Sequence, residues 1–337
     1  MQVNNLSSEQ LAGQRLMVGF DGTALTPELK FQIDTLKVGG VILFARNIHT
    51  PGQVRRLCRS IQDYAVSCGQ PPLFIAVDQE GGVVARLKAP FTEFPGNPAM
   101  RGTEDAVEFA EITAGELTGA GFNMNMAPVM DVAPQGFDSV NARRIFGHDP
   151  EYVAHMGATV IRHFQKNRLI SVAKHFPGIG RTTLDSHLEL PTLDSPLSEM
   201  DAYDLIPFRA AIKAQVAGLM LSHIRYSGID SDWPASLSVK IAHELLRQQL
   251  GYNGLVITDD LDMGAIANHY GIETVIEQLL KASVDIALIC HPGPNIETAL
   301  DQMLKSNRDD PGLYEAGLAS VHRMAELKNQ YLEAHGS

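Results

Sequence analysis

Residues 174–187 combine side chains that can do acid–base chemistry with glycines and a proline that form a loop. A lysine and a histidine come directly after an apolar run, and Asp185 and His187 lie two residues apart near the far end. Each of these side chains would need a polar partner in a packed core. A carboxylate beside an imidazole fixes the ring tautomer and favours its protonated form, which would equip His187 to protonate a leaving group. The alternative is a turn in which Asp185 contacts only its local backbone.

Two further acidic segments could contribute to the same chemistry. Asp259 and Asp260 follow the apolar residues 254–258, and if one of them caps the next helix, the other is free to project into a pocket. A carboxylate in a sugar pocket can act as the nucleophile of a retaining glycosidase. Asp78 and Arg86 flank a glycine turn, where they could bind vicinal hydroxyls or an acyl oxygen, or simply form a surface ion pair.

The elements that would position these residues are short apolar strands without clean alternation, which is typical of strands buried on both faces of a parallel sheet. The candidate strands are residues 15–20, 40–44, 73–77, 123–127, 171–174, 218–222, 254–258 and 285–290. The candidate helices are residues 104–121, 150–166, 199–217, 238–250 and 272–282, with one more helix at the N-terminus and others over residues 311–333.

Eight strands that alternate with helices in a chain of 337 residues predict an α/β fold, a single (β/α)8 TIM-type barrel with some irregular strands and extra terminal helices. An open doubly wound sheet would carry a glycine-rich turn after its first strand, and residues 19–22 do not form one. In a barrel, Asp78, Lys174, His223 and Asp259 would all lie at the carboxyl ends of strands, on the face where barrel enzymes build their sites. For His223 we favour a core position over the pocket.

The composition excludes several classes of partner. Lysine plus arginine number 27 against 39 for aspartate plus glutamate, a net charge of −12, which argues against nucleic acid and anionic membranes. Three irregularly spaced cysteines predict neither a disulfide framework nor a zinc site. The first residues lack the features of a signal peptide, and no apolar run is long enough to span a bilayer, so we expect a soluble cytoplasmic protein.

Four motifs resemble those of glycoside hydrolase family 3, in particular its single-domain NagZ-type β-N-acetylglucosaminidases. They are DQEGG at residues 78–82, APVMDV at 127–132, the segment 174–187 and TDDLDM at 258–263. The resemblance implies one catalytic barrel domain over residues 1–337 and a retaining exo-β-N-acetylglucosaminidase with no cofactor and no metal. It also implies a small carbohydrate substrate, either a GlcNAc-1,6-anhydroMurNAc-type muropeptide from peptidoglycan recycling or a chito-oligosaccharide.

The same resemblance implies a role for each site residue. Asp259 would be the nucleophile, with Asp260 shaping its surroundings, and His187 would be the general acid/base on a mobile loop, oriented by Asp185. Gly178 and Gly180 would serve as hinges of that loop. The residues implied to hold the terminal sugar are Asp78, Arg86, Arg144, Lys174 and His175.

The chain departs from the family pattern beside the leaving-group position. Ile179 stands where the family usually has histidine, Arg181-Thr182 replaces a common Asp-Thr, and Val83-Val84 occupies a commonly basic position. Other hypotheses therefore stay open: β-glucosidase or β-xylosidase specificity, the substrate's own acetamide as nucleophile, and a non-catalytic sugar-binding barrel. A further alternative is a metal-dependent hydrolase whose metal is held by Asp185, His187, His223, Asp259 and Asp260.

Overall fold

The computed structural model describes residues 3–332 and contains a closed barrel of eight parallel strands. These are β1 Leu16–Val18, β2 Gly40–Leu43, β3 Phe74–Val77, β4 Met124–Asn125, β5 Ile170–Phe176, β6 Gly218–Leu221, β7 Leu255–Asp260 and β8 Ile286–Ile289. Each strand pairs with the next along the chain, and β8 pairs with β1. The predicted (β/α)8 barrel is therefore confirmed.

Successive strand residues face two different apolar layers. Met17, Ile42 and Phe74 pack inside the barrel, whereas Leu16 and Val41 pack outward among the apolar residues of the surrounding helices. All five are almost completely buried. Each strand consequently forms a continuous apolar run in the sequence even though its side chains alternate in direction.

Helices surround the barrel, and further helices lie before its first strand and after its last strand. They are Ser8–Gly13, Pro27–Asp34, Pro51–Ser67, Thr103–Ala120, Pro150–Lys166, Leu197–Ala202, Leu205–Lys213, the π-helix Val239–Gln249, Gly264–Ala267, Ile272–Lys281, Pro294–Asp309 and Pro311–Tyr331. Short 3-10 turns lie at Val3–Asn5, Ala45–Asn47, Asn97–Ala99 and Ala235–Leu237. Within residues 3–332, no helix combines the length and the apolar character that crossing a bilayer requires.

One predicted helix is wrong as a single element. Residues 199–217 belong to two helices, which are separated by Tyr203 and Asp204. Asp204 is buried and accepts hydrogen bonds from the guanidinium of Arg181, which lies in the loop after β5. Pro207, in the first turn of the second helix, lacks an N–H and crowds the carbonyl of Tyr203, so this proline and the tertiary ion pair both act against one continuous helix.

Other helices begin where local chemistry predicts. Ser7 and Gln10 form a reciprocal capping box, and Thr26 and Thr50 each accept a backbone N–H bond ahead of a proline in the first turn.

Two small two-stranded sheets lie in the loops outside the barrel. Gln79–Gly81 pairs with Val84–Ala85 directly after β3, and Thr192–Leu193 pairs with Arg225–Tyr226.

Candidate active site

A cavity of about 400 Å³ opens at the carboxyl ends of the barrel strands. All the residues assigned above to catalysis or sugar binding line it: Asp78, Arg86, Arg144, Lys174, His175, Asp185, His187 and Asp259. They lie at or after the carboxyl ends of β3, β4, β5 and β7, so closure of the barrel brings together residues that are far apart in the chain.

Lys174 joins two carboxylates in the buried part of the cavity. Its Nζ lies 2.6 Å from Oδ1 of Asp78 and 2.7 Å from Oε1 of Glu80. Burial lowers the pKa of Lys174, but the two carboxylates outweigh it and raise that pKa above its ordinary value. Burial likewise raises the pKa of each carboxyl, and Lys174 leads the charges that hold both below their usual range. All three groups are therefore charged at neutral pH.

Arg144 extends this ionic cluster toward the β4 loop. Its Nη2 and Nε donate to the two carboxylate oxygens of Glu80 at 2.7 and 3.0 Å, and its Nη1 donates to Oδ1 of Asn141 at 3.0 Å. Burial lowers the pKa of Arg144, but Glu80 raises it further, so the guanidinium stays charged. Arg86 pairs more loosely with Asp78, at 3.6 Å. The cluster thus presents fixed donors and acceptors to the cavity.

His175 is held by a carboxylate that the sequence analysis left without a role. Oδ2 of Asp131 lies 2.8 Å from Nδ1 of His175, and its Oδ1 accepts the backbone N–H groups of His175 and Ile179. Burial raises the pKa of Asp131, but His175 and these N–H donors bring it below the usual range. Asp131 therefore orients the imidazole and also fixes the start of the loop after β5.

Asp259 lies at the end of β7 with its carboxylate facing the cavity. Its Oδ1 accepts the N–H of Asp260 at 2.9 Å. Burial raises the pKa of Asp259, but the nearby His175 and this N–H donor lower it below its ordinary value. The result is a carboxylate that is ionised at neutral pH and bears few hydrogen bonds, as a nucleophile requires.

His223 lies in the core, where we had placed it, and does not line the cavity. Its Nδ1 is 2.8 Å from Oγ of Ser236, and its Nε2 is 2.9 Å from the carbonyl oxygen of Asp260. Burial lowers the pKa of His223, so the ring is neutral and supports the backbone of β7.

Asp260 does not cap the following helix, although its position in the sequence allowed that role. Its Oδ1 accepts the N–H groups of Cys290 and Asp262, which ties β7 to β8. Burial, with repulsion from Asp262 and Asp259, raises the pKa of Asp260 to about 6.

One group of possible metal ligands lies at this end of the barrel within residues 3–332: Asp260, Asp262 and His291 have ligand atoms within 4.8 Å of one another. The five metal ligands considered in the sequence analysis do not form such a group among the described residues.

His187 and Asp185 form a hydrogen-bonded dyad on the exposed side of the cavity. The imidazole Nδ1 lies 2.7 Å from Oδ1 of Asp185, which also accepts the N–H of His187. Burial raises the pKa of Asp185, but these bonds to His187 lower it below the usual range. Because Nδ1 is engaged, Nε2 is the ring atom left for proton transfer.

The loop that bears this dyad docks on the loop after β7. The N–H of Gly264 donates to the carbonyl of His187 at 3.0 Å, and the N–H of Ala265 donates to that of Ser186 at 3.1 Å. The side chain of His187 is nevertheless 68% exposed. Backbone bonds thus place the dyad beside the strand end that carries Asp259, while the side chain stays accessible to a substrate.

Gly178 and Gly180 lie in a closely packed segment, which argues against their expected role as hinges of the loop. A Cβ on Gly180 would lie 1.9 Å from the carbonyl oxygen of Val132, and the carbonyl of Gly178 accepts a bond from the buried hydroxyl of Tyr226. Both glycines therefore allow close approach of backbone and side chain in a fixed segment. The exposed part of the loop starts only after Thr182, which is 8% exposed.

Replacing Lys174 with Met should destabilise the fold by about 3–5 kcal/mol, because it leaves the buried Glu80 and the half-buried Asp78 without their shared cation. Urea denaturation measures this change. The double variant Lys174→Met/Glu80→Gln should recover part of the loss, since one unpaired charge is then gone. Lys88→Met, which removes an exposed partner of Glu93, is the matched control and should change stability by less than about 0.5 kcal/mol. Equal losses for Lys174 and Lys88 would contradict the prediction.

Replacing Asp260 with Asn should stabilise the protein in a pH-dependent way. The pKa of Asp260 is about 6 in the fold, above that of an unfolded aspartate, so the folded state binds more protons than the unfolded state between pH 4 and 6. The free energy of unfolding of the wild type therefore falls as pH rises from 4 to 6. Asparagine cannot ionise, so the variant does not show this fall. We expect its free energy of unfolding to exceed that of the wild type by about 2–3 kcal/mol above pH 7, and by little near pH 4. Urea denaturation across this range checks it, and a pH-independent difference would contradict it.

The chain matches the glycosyl hydrolase family 3 N-terminal domain over residues 9–316. The beta-hexosaminidase of Nitrosomonas eutropha is 34% identical to it, over 93% of this chain and 91% of that protein. The beta-hexosaminidase of Pseudomonas aeruginosa is 36% identical, over 85% of each chain. Beta-hexosaminidase A of Pseudoalteromonas piscicida is 35% identical over 84% of this chain, which spans only 54% of that longer relative.

Solved structures agree with this assignment. A family 3 β-N-acetylglucosaminidase from Paenibacillus superposes with a TM-score of 0.93 at 36% identity, covering 98% of this chain and 64% of that one. NagZ from Neisseria gonorrhoeae, solved in complex with N-trifluoroacetyl-D-glucosamine, superposes with a TM-score of 0.75 at 28% identity, covering 94% of this chain and 98% of that one. The chain therefore belongs to glycosyl hydrolase family 3 and is a glycoside hydrolase.

Proposed function

We propose that this protein is a retaining exo-β-N-acetylglucosaminidase that removes terminal β-linked N-acetylglucosamine. One observation carries the proposal: a single cavity is lined by an ionised, half-buried carboxylate at Asp259 and by the exposed His187–Asp185 dyad. A retaining glycosidase needs one nucleophile and one proton donor at the same bond. The beta-hexosaminidase relatives support the choice of sugar.

The proposed reaction proceeds in two steps. In the first, Asp259 attacks the anomeric carbon while Nε2 of His187 protonates the glycosidic oxygen as the bond to the aglycone breaks. In the second, the now neutral His187 takes a proton from water, whose oxygen displaces Asp259 and releases the sugar. Asp185 holds the ring in the tautomer that leaves Nε2 free and stabilises the imidazolium that donates the proton.

The ionic cluster would hold the sugar that is transferred. We assign this role to Asp78, Arg86, Arg144, Lys174 and His175, whose hydrogen-bonding groups line the buried part of the cavity. Because their side chains are already paired, with one another or with Glu80 and Asp131, they are fixed before the substrate arrives, which lowers the cost of ordering them.

The proposal also includes the extent of the catalytic domain, the cellular location of the protein and the identity of its natural leaving group. One apolar cluster extends from Ala12 to Met303, which supports a single barrel domain over residues 1–337. The family resemblance favours muropeptide recycling in the bacterial cytoplasm. A chito-oligosaccharide is the second candidate, because it carries the same terminal sugar.

Hydrolysis of aryl glycosides tests the choice of sugar. The purified protein should cleave aryl β-N-acetylglucosaminide with a kcat/KM at least about 100-fold higher than that for aryl β-glucoside or β-xyloside, because a site built for the acetamide leaves polar groups unpaired with the other sugars. Preference for the glucoside or xyloside would overturn the proposal. Binding of N-acetylglucosamine without any turnover would indicate a sugar-binding barrel instead.

A further inference from the structure

The loop that carries the dyad begins with a short stem, residues 178–182, which follows β5. Main-chain carbonyls hold this stem at both of its ends. The carbonyl of Gly178 accepts a bond from the hydroxyl of Tyr226 at 2.9 Å, and the carbonyl of Thr182 accepts the N–H of Val140 at 3.0 Å. The start of the loop is therefore fixed before its exposed part begins.

The side chain of Arg181 ties this stem to the two helices that follow the loop. Its Nε and Nη2 donate to the two carboxylate oxygens of Asp204 at 3.2 and 2.5 Å, and its Nη1 donates to Oε1 of Glu199. Glu199 lies in the helix Leu197–Ala202, and Asp204 directly precedes the helix Leu205–Lys213. The side chain of Arg181 is only 12% exposed and that of Asp204 is fully buried, so this two-point bond is shielded from water, unlike an exposed ion pair.

Asp204 packs against the stem as well as pairing with it. A Cβ on Gly178 would lie 3.0 Å from the Cβ of Asp204, so the two segments are in direct contact. Burial raises the pKa of Asp204 to about 6, although the bonds from Arg181 lower it, and the carboxylate is therefore mainly ionised at neutral pH. Among the described residues, only Arg181 forms an ion pair with Asp204. The buried charge of Asp204 thus holds Arg181, and with it the stem, in place.

The exposed part of the loop has a second anchor at its far end, where the carbonyls of Ser186 and His187 accept the N–H groups of Ala265 and Gly264. Between the stem and this anchor, the hydrogen bonds of residues 183–185 to other described residues all stay within the loop. The orientation of the dyad therefore depends on the stem before it and on the anchor after it.

We propose that Arg181 is a positioning residue for the proton donor, because its bond to Asp204 sets the direction in which the loop leaves the stem and so aligns Nε2 of His187 with the glycosidic oxygen. Arg181 is not among the described residues that line the cavity, so it acts through the loop and not on the substrate. A misplacement of about 1 Å is enough to slow a proton transfer strongly. The role also accounts for one of the residues in which this chain departs from the family pattern. This inference rests on the proposed function, in which His187 protonates the leaving group.

The dependence of activity on the leaving group tests this placement. In Arg181→Met, kcat/KM for a disaccharide with terminal β-linked N-acetylglucosamine should fall about 10–100-fold, because its leaving oxygen needs a well-placed proton. For an aryl β-N-acetylglucosaminide with a strongly acidic phenol, kcat/KM should fall by less than about threefold. Arg209→Met removes an exposed ion pair with Asp201 between the same two helices and should change neither value by more than about twofold. Equal losses on both substrates would overturn the inference, since they would indicate a general disturbance of the site.

A second set of variants separates the placement of the loop from the stability of the fold. Arg181→Met leaves the buried Asp204 unpaired and should lower the Tm, whereas Arg181→Met/Asp204→Asn should recover most of that Tm without recovering activity on the disaccharide. Arg181→Lys, which can pair with Asp204 but cannot bind both of its oxygens in the same geometry, should cause an intermediate loss. Recovery of disaccharide hydrolysis in the double variant would contradict the inference, because the unpaired charge and not the missing connection would then be the cause.

Hydrogen exchange tests the placement of the loop without any turnover. The N–H groups of Gly264 and Ala265 donate to the loop, so the peptide that contains them should exchange several-fold faster in Arg181→Met and at the wild-type rate in Arg209→Met. Unchanged exchange in Arg181→Met would show that the far anchor alone positions the loop, against the inference. If the wild type cleaves neither substrate, the proposed function fails, and the exchange result still decides whether Arg181 holds the loop.

Discussion

Asp259→Asn should lower kcat by at least about 10⁴-fold on every substrate, because an amide oxygen cannot form the covalent glycosyl intermediate. The fold should survive, since the amide oxygen can still accept the N–H bond that Asp260 donates to Asp259. Steady-state hydrolysis of an aryl β-N-acetylglucosaminide measures the loss. A thermal melt of the same sample separates loss of the nucleophile from loss of structure.

Two further measurements make this result specific. Asp262→Asn changes a carboxylate two positions before Gly264 that does not line the cavity, and it should alter kcat by less than about tenfold. A fluorinated N-acetylglucosaminide that traps the intermediate should label the peptide that contains Asp259. A label that is absent from Asp259 during turnover would favour the route in which the substrate's acetamide is the nucleophile.

The barrel could be predicted from the sequence because its strands and caps are local features. Residues 286–290, for example, form an apolar run bounded by Asp285 and His291, and β8 lies within that run. The misplaced element shows the limit of this approach. Residues 199–217 have helical periodicity, but the break at Tyr203 and Asp204 coincides with two other features. Pro207 lacks an N–H and its ring crowds the carbonyl four residues earlier, which is a local signal that the periodicity hides. The ion pair between Arg181 and Asp204 is not encoded by any local pattern.

The residues that touch the cavity were largely predictable, but the residues that hold them were not. Asp78, Lys174 and Asp259 stand at strand ends, a position that the sequence shows directly. Glu80 and Asp131 lie within motifs that we had identified, but their function depends on which strands are neighbours. Glu80 follows β3 and binds Lys174 of β5 and Arg144 of the β4 loop, and no local pattern encodes those pairings.

His187→Ala should give a loss of activity that depends on the leaving group. For a disaccharide, whose leaving oxygen needs a proton, kcat/KM should fall about 10²–10⁴-fold. For an aryl glycoside with a strongly acidic phenol, which needs little protonation, kcat/KM should fall by less than about tenfold. Asp185→Asn should cause a smaller loss than His187→Ala, because the amide oxygen can still accept the Nδ1–H bond while the negative charge is gone.

The role of His187 is tested most directly in the second step, hydrolysis of the glycosyl intermediate, because His187 is also the base that activates water. In His187→Ala, the aryl substrate with the acidic phenol should form the glycosyl intermediate quickly and release it slowly, so a burst of phenol should precede a slow steady state. Azide, an anion that needs no base, should then raise kcat and yield the glycosyl azide. The exposure of the His187 side chain, at 68%, leaves room for such a nucleophile. If the loss is the same for all leaving groups and azide has no effect, His187 only positions the loop, and the proton must come from another group.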